Sequence, residues 1–181
     1  MGEGQCPNGQ LTNTSIDAIL EQHDSAQTLM RFVPLTDPDE SNERDLLMAP
    51  NLYEWLYQGD KRKTREYKAN VRGFLKRYVI GGHVDNQDYM KSWTPHVFEF
   101  RVQLEPWREN TRIFGAFIKR DVFIATHQKL RSEFGDKTDP RWKVATDKVM
   151  EEMAKLFPGC IPVRSRPFML CVSGKFTDVN L

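Results

Sequence analysis

The feature that most constrains this fold is a succession of three β-rich runs between Val97 and Lys129. VFEFRVQL, from Val97 to Leu104, sends Phe98, Phe100, Val102 and Leu104 one way and Glu99, Arg101 and Gln103 the other, which predicts a half-buried strand. Thr111 to Lys119 and Val122 to Lys129 come next, and only Arg120 and Asp121 separate them, so the pair predicts an antiparallel hairpin. The three strands form a meander, and an apolar sheet face of that kind has to be covered by helices.

Two helices have the right pattern. Between Lys61 and Tyr78, Tyr67, Val71, Phe74, Leu75 and Tyr78 recur at the spacing of one buried helical face, and Gly81 and Gly82 stop it. Asp139 and Pro140 open the other, as a capping residue followed by proline at the first helical position. Its buried stripe is Trp142, Ala145, Val149, Met153 and Leu156, and Pro158 with Gly159 ends it. Smaller elements complete the chain. Ser15 is expected to cap a short helix carrying Ile16, Ile19 and Leu20. TLMRFVPL, from Thr28 to Leu35, reads as a strand with Pro34 favouring an edge. Leu46 to Tyr57 suits one or two helical turns through Leu52, Trp55 and Leu56, with Gly59 and Asp60 as the break. Phe168 to Val172 reads as one further strand.

These elements give an α+β fold, an antiparallel sheet with a three-stranded meander packed against helices. At 181 residues the chain is long enough for one well-buried core and short for two domains. The expected organisation is an acidic, flexible extension with a short helix over residues 1–27, an α+β domain over 28–157, and a tail over 158–181 that adds a strand. No apolar run reaches the length of a membrane span and MGEGQCPNGQ lacks the order of a secretory signal, so the expectation is a cytoplasmic protein with no membrane partner. Cys6, Cys160 and Cys171 lack the close pairing of a zinc knuckle or redox motif and are expected to be free thiols. Phosphate-loop, dinucleotide, HExxH and Gly-Xaa-Ser-Xaa-Gly signatures are missing, which argues against nucleotide and metal enzymes; no metal and no cofactor is expected.

Charge points toward a polyanion. The net charge of +1 hides a balance of −9 over residues 1–60 and +10 over the rest. The helix from Lys61 carries +7 by itself, and at 100° per residue Arg65, Lys68, Arg72 and Lys76 fall in one stripe opposite its apolar face. A solvent-facing cationic ridge of this kind binds phosphate backbones, so these four are candidate RNA-binding residues; a solubilising helix face and a solvated acidic tail are the plainer alternatives. On the sheet, Arg101 projects from the non-apolar side of its strand, with Arg112, His127, Lys129 and Arg131 further along the chain. If Val122, Ile124 and Thr126 point inward, His127 and Lys129 share the outer face and neighbouring strands bring them toward Arg101. Cleavage of RNA by its own 2′-hydroxyl needs a base, positive charge on the phosphate and an acid for the leaving oxygen, and no metal. The competing reading makes each cation an ordinary cross-strand partner of Glu99 or Glu133.

The order of elements, strand, two helices, three-stranded meander and closing helix, resembles the fold of the RelE/HigB toxins. VFEFRVQ with Arg101 is similar to that family's Glu-Leu-Arg strand, TRIFGAFI with Arg112 to its Arg-Ile-Phe strand, and FIATHQKL to its His-containing strand. WKVATDKVMEEMAKL stands where the C-terminal helix would be, and Trp93 with Pro95 where a Trp-containing loop precedes the meander. The resemblance covers roughly Thr28 to Leu156. It implies a ribosome-dependent endoribonuclease acting on ribosome-bound mRNA and neutralised by an antitoxin, with Arg101, Arg112, His127 and Lys129 as catalytic residues; Arg131 joins them as a candidate on its charge alone, not through the resemblance. The sequence departs from the family pattern in its Gln128-Lys129-Leu130-Arg131 turn, in its acidic N-terminal extension and in its tail. A non-catalytic protein that binds RNA or a ribonucleoprotein, of phage or mobile-element type, and a regulatory subunit whose acidic first 60 residues cover its own basic surface are the other readings.

Overall fold

The computed structural model describes residues 13–35, 40–59, 61–86, 88–103 and 110–178. Expectations placed on the first dozen residues, Cys6, Asp60 and Leu104 lie outside the described residues. In chain order the elements are α1 (Asn13–Ser25), β1 (Met30–Arg31), β2 (Asp45–Met48), α2 (Pro50–Tyr57), α3 (Arg62–Val79), β3 (Val84–Asp85), β4 (Met90–Ser92), β5 (Phe98–Val102), β6 (Thr111–Lys119), β7 (Val122–Leu130), α4 (Pro140–Leu156) and β8 (Phe176–Thr177). The fold is α+β, and among the described residues it has four helices and a mostly antiparallel six-stranded sheet in the order β1-β2-β7-β6-β5-β4. No described helix is long and apolar enough to cross a membrane.

The meander β5-β6-β7 is the sheet's centre, and both its faces are covered. Phe98, Phe100, Val102, Ile113, Phe117 and Phe123 pack against α2 and α3 through Leu52, Leu56, Val71, Leu75 and Tyr78. Phe114, Ala116, Val122 and Ile124 meet α1 and α4 through Ile16, Leu20, Trp142, Val149 and Met153. The second face of the expected half-buried strand is covered at Glu99, which is 1% exposed, and opens toward solvent from Arg101 onward.

Several elements differ from the sequence reading for local reasons. Ser15 lies inside α1 instead of capping it. Of Thr28–Leu35 only Met30 and Arg31 pair in the sheet, at the edge as Pro34 requires. Leu46, Leu47 and Met48, read as the start of a helix, form β2, which pairs parallel with β7; all three are buried, and a short unbroken apolar run carries no period to distinguish strand from helix. Phe168–Val172 holds a single 3-10 turn, because Phe168, Cys171 and Val172 are buried while Met169 and Leu170 are exposed, the spacing of a turn and not an alternation. The tail's strand is β8, paired with β3 in a separate two-stranded sheet.

The stops and caps obey local chemistry. Gly81 ends α3 at φ +72°, its N–H donating to Tyr78 O while Gly82 N–H donates to Arg77 O at 2.8 Å, the double closure of a helix C-terminus. Asp139 accepts from Arg141 N–H at 2.9 Å and opens α4 ahead of Pro140. Arg44, with its side chain wholly buried, donates to Tyr78 O, Gly82 O and Ser173 O and lies 3.6 Å from Asp121 Oδ1, joining α3, the β6-β7 turn and the tail.

Candidate functional site

One end of the α4-covered sheet face is left open beyond the N-terminus of that helix, and charge collects there. Alternation along β5 puts Glu99 and Arg101 on this face, and antiparallel register sets Arg101 opposite Arg112 on β6 and Glu99 opposite Lys91 on β4. Arg131, just after β7, and Lys137, preceding α4, complete a pit of about 80 Å³ walled by Trp93 and Trp142. Five cations thus surround a single carboxylate among the described residues.

Glu99 Oε1 lies 3.6 Å from the Nε of both Arg101 and Arg112. Its other oxygen, Oε2, and Arg112 Nε are buried with no hydrogen-bond partner among the described residues. Burial raises the Glu99 carboxyl above its ordinary value against the opposing pull of the Arg112, Arg101 and Lys91 charges. Burial also lowers Lys91, with Glu99 opposing and the neighbouring cations adding to the effect. Five cations and one carboxylate leave the pit with a net positive charge among the described residues, complementary to an anion.

Aromatic rings hold this wall rigid. Trp93 stacks on Trp142 at 4.2 Å, Trp142 stacks on Phe134 at 3.8 Å, Lys91 Nζ sits 4.1 Å over the Trp93 ring, and Arg131 lies 5.4 Å over Trp142. The Trp142 indole N–H donates to Asp136 O at 2.8 Å, fixing the loop that carries Lys137.

The same wall excludes His127. A β-bulge places Phe114 opposite His127 and Gly115 opposite Ala125, so Thr126 is the extra residue and His127 turns to the α4 side with Arg101 and Arg112. Gly115 is required there, since a Cβ would lie 2.1 Å from Ile124 O. His127 nonetheless lies in a different recess, under α4 beside Ala145 and Lys148 and across Phe134 from the pit. It stacks on Phe114 at 5.2 Å, and its Nδ1 is 2.9 Å from Thr126 Oγ1. Burial, with Lys148 and Lys129 adding to it, pushes the imidazole down to about 4, so it is neutral at pH 7. The expected shared face holds, with Lys129 opposite Arg112 in the register, but α4 packs over it at His127 and keeps the imidazole from Arg101. Lys129 turns to Glu133 at 2.8 Å.

The expected cationic ridge on α3 is also turned inward over most of its length. Lys68 Nζ donates to Trp55 O, Arg72 donates to Leu56 O at 2.9 Å, and Lys76 pairs with Glu40 at 2.7 Å, leaving Arg65 exposed. Lys68 and Arg72 close the C-terminal end of α2, where carbonyls lack helical partners and attract cations. Within the acidic first 60 residues, Asp17 meets Lys119 and Glu40 meets Lys76, so these two carboxylates are engaged away from the pit.

Of the nine sequence candidates, Arg101, Arg112 and Arg131 converge. Lys91 and Lys137, the missing members, stand alone in sequence and gave no pattern; Trp142 was legible only as part of a buried stripe; and Glu99 was visible as a neighbour of Arg101 but not as the buried carboxylate at the centre. In comparisons with known proteins, no family model matches the chain, and no match is found among the curated proteins or the solved structures.

Proposed function

We propose that this chain is an RNA-binding protein whose pit seats a backbone phosphate. The observation that carries this reading is the convergence of Lys91, Arg101, Arg112, Arg131 and Lys137 around one buried carboxylate. Guanidinium groups recognise phosphate oxygens through directed, paired N–H donors, and a rigid site keeps those donors in place before the ligand arrives. The elements β2, α2, α3, β5-β6-β7 and α4 follow one another in the order that the resemblance to RelE/HigB toxins implies, with β3 and β4 inserted, α1 and β1 ahead of them, and β2 in place of the strand expected at Thr28–Leu35; that resemblance favours RNA, free or on the ribosome, as the polyanion. A protein antitoxin would be expected to cover the same pit. The test is binding of single-stranded RNA by the intact protein and by Lys91→Gln/Lys137→Gln, both rim substitutions; the reading requires weaker binding and a shallower salt dependence in the variant.

A second reading, cleavage, is favoured by one observation: the carboxyl among these cations is Glu99, held above the ordinary carboxylate range. In that reading Glu99 takes the proton of the 2′-hydroxyl, whose oxygen attacks the adjacent phosphorus. The surrounding arginines hold the charge of the pentavalent phosphate, and Lys91 gives a proton to the departing 5′-oxygen, leaving a 2′,3′-cyclic phosphate. His127 has no part in it.

A further inference from the structure

The tail contributes to the site. Its backbone is fixed along the sheet end by Val163 N–H donating to Phe117 O at 2.8 Å and Ser165 N–H donating to Pro95 O at 2.6 Å. Burial of Phe168, Cys171 and Val172 anchors the chain just beyond. This path brings Ser165 and Arg166 to the mouth of the pit, where they wall a second recess of about 430 Å³.

The two recesses are neighbours, with Lys91, Arg101 and Lys137 lining both. Their sizes differ in a useful way. The inner pit of about 80 Å³ has room for an anionic group and little else, given that a water takes ~30 Å³ in the liquid. The outer recess of about 430 Å³ falls in the ~300–1,000 Å³ range of pockets that accept whole small ligands. Among the described residues its lining is all donor-bearing: Lys91, Arg101, Lys137 and Arg166 with Asn86, Ser92 and Ser165, and no carboxylate. Asp88 reaches Arg101 from the rim, at 3.9 Å and 88% exposed. Lys137 and Arg166 form no ion pair among the described residues.

We propose that Arg166 and Lys137 form an outer phosphate subsite, so that the ligand is a nucleic-acid strand with at least two consecutive phosphates, one in the inner pit and the next between these two side chains. This rests on the RNA-binding reading and adds the substrate class to it: a strand, not a mononucleotide. Among the described residues the outer recess is lined by donors and by no aromatic ring, the lining of a site that holds phosphate and sugar.

The experiment is competition against a labelled 12-nucleotide single-stranded RNA by two unlabelled probes, the dinucleoside monophosphate UpU and the trinucleoside diphosphate UpUpU. It is run on the intact protein, Arg166→Ala and Arg166→Gln; Arg166 is exposed, and an unchanged urea midpoint confirms the fold. The expected result is a roughly three- to tenfold weaker UpUpU in both variants, UpU within about twofold of the unsubstituted protein, and a salt slope for the 12-mer smaller by about 0.7, one phosphate contact. Equal loss for both probes, or no loss for either, overturns the outer subsite while leaving the RNA-binding reading in place. Failure of the unsubstituted protein to bind the 12-mer removes the reading and the subsite together.

Discussion

Glu99 Oε1 stands 3.6 Å from Arg112 Nε with both side chains at 3% exposure or less, so the one carboxylate lining the pit among the described residues is set against its most buried guanidinium. Glu99→Gln keeps the shape and removes the charge. The expected outcome is tighter RNA binding at low salt, because the pit gains a net positive charge, together with a loss of about 1–3 kcal/mol in urea unfolding as Arg112 loses its counter-charge. If cleavage occurs, the same substitution abolishes it. Its rate in the unsubstituted protein then falls as pH drops through the raised Glu99 value, an acidic limb displaced above that of an ordinary carboxylate.

His127 tests acid stability. Its folded-state value of about 4 lies below the ~6.5 of an unfolded histidine, so the unfolded chain takes up the proton first. The contribution is complete above pH ~6.5 and is lost as pH falls toward 4, by up to about 3 kcal/mol. Urea midpoints at pH 7 and pH 4.5 should therefore differ less in His127→Phe, which keeps the stack on Phe114, than in the unsubstituted protein. RNA binding at pH 7 should not change in this variant.

Lys68 and Arg72 separate structural from ligand-binding cations. Each donates to a terminal carbonyl of α2, and Lys68 also lies 4.9 Å from the Trp55 ring centre. Lys68→Ala and Arg72→Ala should each cost about 1–2 kcal/mol in equilibrium unfolding. The salt slope of RNA binding should stay as it is; a shallower slope would return the α3 stripe to the binding surface.

How much of this was legible in the sequence depends on the length of each signal. The α3 face, the hairpin at Arg120-Asp121 and the Asp139-Pro140 start of α4 each rest on many residues or on specific turn chemistry, and they stand where the pattern put them. β3 and β4 are two and three residues long, too short for a period, and they pair only because β8 and β5 are beside them. The site was half legible. Arg101 and Arg112 follow from alternation and register, but the position of His127 depends on a bulge that strict alternation does not contain. Helical spacing identified the stripe Arg65, Lys68, Arg72 and Lys76, and it could not show that α2 packs against it.

Arg44 is the internal clamp of the fold. With its side chain buried against Asp121 and three backbone carbonyls, Arg44→Met strands those carbonyls and should cost about 3–5 kcal/mol. Hydrogen exchange should accelerate first at Ser173, whose N–H donates to Asp121 Oδ1 at 2.7 Å and whose carbonyl accepts from Arg44. Uniform acceleration across β6 and β7 instead would mean that the clamp supports the whole sheet.

The most direct test is the salt dependence of single-stranded RNA binding, measured by fluorescence anisotropy for the intact protein, Lys91→Gln/Lys137→Gln and Lys68→Ala/Arg72→Ala. A pit that seats backbone phosphate predicts a logarithmic slope smaller by about 1 to 1.5 in the first variant, from ~0.7 per lost phosphate contact, and an unchanged slope in the second. The opposite pattern, or equal slopes in all three proteins, would contradict it.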